Sequence, residues 1–138
     1  MINDNCIFCK LANGIIPVNP VYEDELVTVI LDAGPASRGH ALILPKSHAE
    51  NLYELDDKVA SHITVVAKKV GTAMKKALNF DGLNVVQNNG EAAGQTVMHY
   101  HTHLIPRYSG DTVNVSWVPG KNSDEEATAL VKVIKENI

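Results

Sequence analysis

The sequence predicts an α+β domain: an antiparallel sheet, one long helix and a second helix near the C-terminal end. Three observations carry this. Short β-branched runs follow one another in hairpin-like order, one extended amphipathic stretch separates the second run from the third, and a capped apolar stretch ends the chain.

The first strand is Leu26–Leu31, a run of Leu, Val, Thr, Val, Ile and Leu. The second is His40–Pro45, ended by Pro45, which has no N–H for a sheet ladder. The long helix is expected from about Asp56 to Leu78. Asp56 or Asp57 caps its start, and Val59, Ile63, Val66, Val70, Met74 and Leu78 recur at spacings of three and four on one face. Gly71 weakens this helix locally without ending it. Leu83–Gln87 reads as the third strand and Val97–Ile105 as the fourth, with Asn88-Asn89-Gly90 supplying turn chemistry between them. Ser123-Asp124-Glu125-Glu126 is a capping box ahead of Ala127, Leu130, Val131 and Ile134, so a last helix is expected over about 124–137.

Composition narrows the function. The chain has 138 residues, 45% hydrophobic and 20% charged, with no repeat, long linker or low-complexity tract, so a single domain over 1–138 is the simplest reading. Its formal charge is −4, only Arg38 and Arg107 are arginines, and neither half is basic, which argues against a nucleic-acid partner. No run nears the roughly 18 apolar residues of a membrane span, so no membrane partner is expected. The first residues, Met-Ile-Asn-Asp-Asn-Cys, lack a basic and an apolar signal region, so a cytoplasmic location is expected. In that compartment Cys6-x-x-Cys9 reads as a metal or redox pair rather than a disulfide. The spacing is half of a zinc site, and zinc in a structural site takes four ligands.

Six histidines are present, and three fall within five residues: His99, His101 and His103. On a strand, alternate side chains share a face about 7 Å apart, so all three are expected on one side. A solvated polar face explains one histidine better than three in strict alternation. Two chemical readings compete: a metal site, since His-x-His on a strand offers two zinc ligands, and nucleophilic or acid–base chemistry. A neutral imidazole nitrogen can attack phosphorus if its other nitrogen is held by a partner that sets the tautomer.

The run His99-Tyr100-His101-Thr102-His103-Leu104-Ile105 is similar to the histidine triad signature, with Thr102 at a position that is usually apolar. The chain resembles the histidine triad (HIT) family, and within it the bacterial-type nucleoside phosphoramidate hydrolases. The resemblance extends over about residues 5 to 120. It includes Cys6–Ala12 with Ile16-Pro17, Tyr22–Glu25, Asp32 with Pro35, Gly39–His48, and Asn88 followed by Gly94–Val97.

That resemblance implies a HIT-like fold, a homodimer with helix 56–78 and strand 83–87 as contact elements, and a purine nucleotide or nucleoside phosphoramidate as ligand. It implies His101 as nucleophile, His103 as phosphate contact and His40 as support for proton transfer, with no metal required for the chemistry. Backbone donors near Gly94–Val97, with Gln95 and Thr96 adding side-chain donors, would stabilise phosphate oxygens. Asp32 would accept bonds from ribose hydroxyls, or simply serve the turn before Ala33-Gly34-Pro35. Asn88 would lie near ribose and phosphate. Ile7, Phe8, Leu11, Ile30 and Leu31 would form a slot for the base, and core packing explains each equally well. His48 and His99 would complete a structural zinc site with Cys6 and Cys9. His62, on the long helix, is expected to be a surface residue without a chemical role. Trp117 with Pro119-Gly120 resembles a family segment that crosses towards the partner's site, though Ser109-Gly110-Asp111 lengthens the connection here.

The rival expectations are a dinucleoside polyphosphate hydrolase, a catalytic zinc site on the triad, and a nucleotide-binding scaffold with vestigial activity.

Overall fold

A computed structural model describes residues 1–138. The elements are α1 (Ile7–Ala12), β1 (Tyr22–Glu23), β2 (Val27–Leu31), β3 (Ala41–Pro45), α2 (Asp57–Leu78), β4 (Gly82–Gln87), β5 (Thr102–Arg107) and α3 (Asp124–Lys135), with a 3-10 turn at Glu91–Ala93. The five strands form one sheet in the order β1-β2-β3-β5-β4, every neighbouring pair antiparallel. No helix is long and apolar enough to cross a membrane.

Alternation along the strands divides the core. Val27, Val29, Ala41, Ile43 and Leu104 bury one face of the sheet against Val59, Ile63, Val66, Val70 and Met74 of α2. The opposite face places Ile30, Leu42 and Leu44 against Ala12, Phe8 and Leu11 of α1. Thr28 shares that second face and its Oγ1 donates to the Ala12 carbonyl at 2.7 Å. Asp56 caps α2 by accepting from the N–H groups of Lys58 and Val59, and Asn79 ends the helix in the left-handed region at φ +50°. Gly39, before β3, sits at φ +91°, and a Cβ there would run into Leu78 Cδ1, so glycine is required.

The long helix and the first three expected strands occur within a residue or so of the sequence reading. The fourth strand differs. It begins only at Thr102 and runs on through Pro106 to Arg107, so Val97–His101 is not strand. The register supplies the reason. Ile43 pairs Thr102, and two residues further along that ladder Tyr100 would stand opposite Pro45, which has no N–H to offer. The chain turns away instead, and the Tyr100 N–H donates to the Ala49 carbonyl at 2.7 Å. Helix α1 was not anticipated. In α3 the capping box between Ser123 and Glu126 is formed, yet no residue of the helix is buried.

His62 is tied down rather than free. Its Nε2 lies 2.6 Å from Asp24 Oδ2, joining α2 to the β1–β2 turn. Burial would raise Asp24, but bonds from His62, Tyr22 and the Leu26 and Val27 N–H groups hold its carboxyl well below the usual range.

Candidate functional site

His103 pairs directly across the ladder from Leu42, so its side chain rises on the α1 face of the sheet. A cleft of about 410 Å³ opens there. Ile7, Phe8, Leu11, Val18, Ile30, Leu31 and Leu42 supply its apolar lining, and Asp32, Thr96, His101 and His103 its polar groups, beside Ala33 and Val97. The volume is that of a small-molecule site. A groove of about 480 Å³ along the second half of α2 carries only Arg38 and Lys69 as charged groups and no histidine or carboxylate. Of these two cavities, the histidine cleft is the one that gathers titratable side chains around a common centre.

Hydrogen bonds set the protonation of the histidines. His101 is buried, and its Nδ1 lies 2.7 Å from the His99 carbonyl oxygen. A carbonyl only accepts, so Nδ1 carries a proton, and the tautomer this selects has its lone pair on Nε2. Phe8 packs edge-on against this ring at 4.9 Å between centroids. At His40, the Ala36 N–H donates to Nδ1 at 2.9 Å, so the proton resides on Nε2. That Nε2 lies 2.9 Å from His103 Nδ1, to which it donates, and 3.6 Å from Asp32 Oδ2, beyond hydrogen-bond range. His103 therefore holds its proton on Nε2. Burial, then the neighbouring His101 and His40, push His103 down to about 4, and burial lowers His40 against the pull of Asp32. Both rings are neutral at neutral pH, as this bond pattern requires.

Asp32, His40 and His103 are close enough to suggest a metal site. The bond from Ala36 argues against it. A metal on His40 Nε2 would drive the ring proton to Nδ1, against the Ala36 N–H.

The second cluster has the opposite character. Cys6 Sγ lies 3.3 Å and Cys9 Sγ 3.5 Å from His99 Nδ1, Cys9 Sγ 3.4 Å from His48 Nδ1, and the two Nδ1 atoms 3.3 Å apart. Ligands of a tetrahedral zinc, at about 2.0–2.3 Å from the ion, stand about 3.3–3.8 Å from one another. His99 Nε2 donates to the Pro45 carbonyl at 2.9 Å, which leaves the Nδ1 lone pair facing the sulfurs, as a metal ligand with its supporting carbonyl requires. Cys9 and His99 are fully buried. The residues fit a closed structural zinc site.

The remaining residues of the sequence reading divide. Asn88 and Gly94 lie together in the loop that enters the site: Gly94 has φ +92°, and a Cβ on it would stand 3.6 Å from Asn88 Nδ2. Asp32 Oδ1 accepts from the Gly34 N–H, forming the turn, while Oδ2 stays at the cleft. Gln95 departs from expectation. It is 2% exposed and its amide is spent on backbone groups, so it offers the cleft no donor. The N–H groups of Gly94 and Gln95 are spent too, on Glu91 and Gly90 carbonyls. Sequence reasoning missed Ala36, whose contribution is a backbone N–H, and Val18, Ala33 and Leu42 in the cleft.

A family model described as the HIT domain matches residues 13–110. The chain belongs to the HIT family. This HIT protein is 48% identical over 132 residues to an uncharacterised HIT-like protein of Methanocaldococcus jannaschii, covering 95% of this chain and 97% of that one. It is 40% identical over 135 residues to an adenosine 5′-monophosphoramidase of Schizosaccharomyces pombe, covering 97% and 98% of the two chains. Among solved structures it matches a HIT family protein of Bacillus anthracis at TM-score 0.92, with 40% identity over 98% of each chain. It also matches a Zn-bound histidine triad family protein of Mycobacterium smegmatis at TM-score 0.75 and 33% identity, covering 96% of this chain and 97% of that one.

Proposed function

We propose that this chain hydrolyses purine nucleoside 5′-phosphoramidates to a nucleoside monophosphate and an amine through a nucleotidyl-His101 intermediate. The bond from His101 Nδ1–H to the His99 carbonyl carries the reading, because it leaves a lone pair on Nε2 of a ring that lines the cleft. The apolar lining suits the faces of a base, Asp32 suits the ribose diol, and the similar adenosine 5′-monophosphoramidase supports the substrate class.

In the first step Nε2 of His101 bonds to the α-phosphorus as the phosphorus–nitrogen bond of the substrate breaks. The leaving nitrogen needs a proton. The His40–His103 pair takes one from solvent, and the low pKa of His103 makes its protonated form a ready donor. In the second step water bonds to phosphorus, the lone pair returns to His101, and the surplus proton of the water leaves through the same pair. Thr96 and Val97 line the cleft and their N–H groups have no acceptor in the chain, which leaves them free to take developing charge on the phosphate oxygens.

Cys6, Cys9, His48 and His99 would hold one zinc ion, whose contribution is structural. A homodimer through α2 and β4 is part of the same proposal; β4 is an outer strand of the sheet, and its Val85 is 58% exposed.

Turnover of an adenosine phosphoramidate and of diadenosine polyphosphates, measured with wild type and His101→Ala, tests the function. The proposal expects fast amine release from the first and slow cleavage of the second. Preference for the polyphosphate overturns it.

A further inference from the structure

The segment between β4 and β5 supplies the N–H groups proposed above to face the phosphate, so what holds that segment matters. Its 3-10 turn is closed by its own carbonyls: the Gly94 N–H donates to Glu91, and the Gln95 N–H donates to Gly90. These bonds shape the turn but do not fasten it to the body of the protein. Most of the fastening comes from one side chain. Gln95 Oε1 accepts from the Gly90 N–H at 2.8 Å, and its Nε2 donates to the Glu50 carbonyl at 2.7 Å and to the Val97 carbonyl at 3.1 Å. Three backbone groups thus meet at one amide, from the start of the loop, its end and the strand-to-helix connection beneath it. Asn89 adds one further stitch, its Oδ1 accepting from the Leu52 N–H at 2.7 Å.

We infer that Gln95 is a positioning residue: its buried amide clamps the loop 90–97 so that the Thr96 and Val97 N–H groups face the substrate phosphate. This rests on the proposed function. The chemistry is specific to an amide. Both hydrogens and one oxygen lone pair are used, whereas glutamate would set a carboxylate against two carbonyl oxygens, and an aliphatic side chain would leave three part-buried backbone groups without this partner. Apart from the Val97 carbonyl, its hydrogen bonds reach none of the residues of the cleft, Asp32 included. It should therefore act on phosphate recognition alone.

Gln95→Glu and the volume-matched Gln95→Met test this in the full-length, metal-loaded protein. Dissociation constants for adenosine and for AMP are measured by calorimetry, and the Thr96 and Val97 amide resonances are followed as AMP is added. Wild type is expected to bind AMP more tightly than adenosine. Both variants are expected to lose about 10- to 100-fold in AMP affinity, to keep adenosine affinity within about 2-fold, and to show weakened AMP-induced shifts at Thr96 and Val97. AMP affinity equal to wild type in folded Gln95→Glu and Gln95→Met overturns the clamp. Equal losses for adenosine and AMP also overturn it, since they mark a general structural role. Wild type that binds both ligands alike overturns the phosphate reading itself, before any variant is considered.

Discussion

His99 and His101 are joined by a single hydrogen bond, 2.7 Å from His101 Nδ1 to the His99 carbonyl oxygen, and it links two sites of different chemistry. The ring of His99 belongs to the cysteine–histidine cluster, while its backbone sets the tautomer of the proposed nucleophile. Phe8 extends the link. It lies two residues beyond Cys6 and packs its edge against both imidazoles, at 6.0 and 4.9 Å between centroids. Ordering the cluster therefore orders one wall of the cleft and the orientation of His101.

The cluster should hold about one zinc per chain, measured by elemental analysis of protein purified without added metal. Cys6→Ser should abolish it. Chelation should lower the melting temperature, because the ion joining Cys6 and Cys9 to His48 and His99 would be gone. A metal-free preparation of full stability contradicts the assignment.

Removing His40 should slow turnover more than it weakens binding. His40→Ala takes away the donor to His103 Nδ1, so nothing then sets the His103 tautomer. A loss of about 100-fold in kcat is expected, with KM changed less than about 3-fold, checked by steady-state kinetics.

Acid should destabilise the fold through His103. Its pKa is about 4 in the fold against 6.5 unperturbed. Below pH 6.5 the unfolded chain binds a proton that the folded chain refuses until near pH 4, so stability falls as pH drops through that window. The loss is on the order of 1–3 kcal/mol after discounting for partial solvent access, and nothing from this group changes above pH 7. Urea melts of wild type and His103→Gln across pH 4 to 7 check this, and the variant should show a shallower slope.

Gly39→Ala should destabilise the protein by about 2–4 kcal/mol, since the residue holds φ +91° and the new Cβ meets Leu78. Denaturant unfolding measures the effect.

Helix α2 was legible to its cap because period and capping chemistry are written in side chains: Asp56, then Val59, Ile63, Val66, Val70 and Met74. The histidine constellation was legible for the same reason. Strand β5 was misplaced because its start depends on Pro45, a residue of another strand, and a single segment carries no record of its ladder partner. Gln95 was read as a substrate donor because a primary amide serves ligand and backbone equally well, and only its surroundings decide. Ala36 left no signal, since any residue except proline supplies the same N–H. Helix α1 spans only six residues, too few for a period to show.

The proposed reaction passes through a covalent bond from His101 Nε2 to phosphorus. Single-turnover reaction with a radiolabelled adenosine phosphoramidate, quenched in alkali where a phosphorus–imidazole bond survives, tests it most directly when followed by peptide mapping. A transient adenylyl group on His101, absent in His101→Ala, is expected. Full single-turnover amine release without labelled protein, or label on another residue, contradicts it.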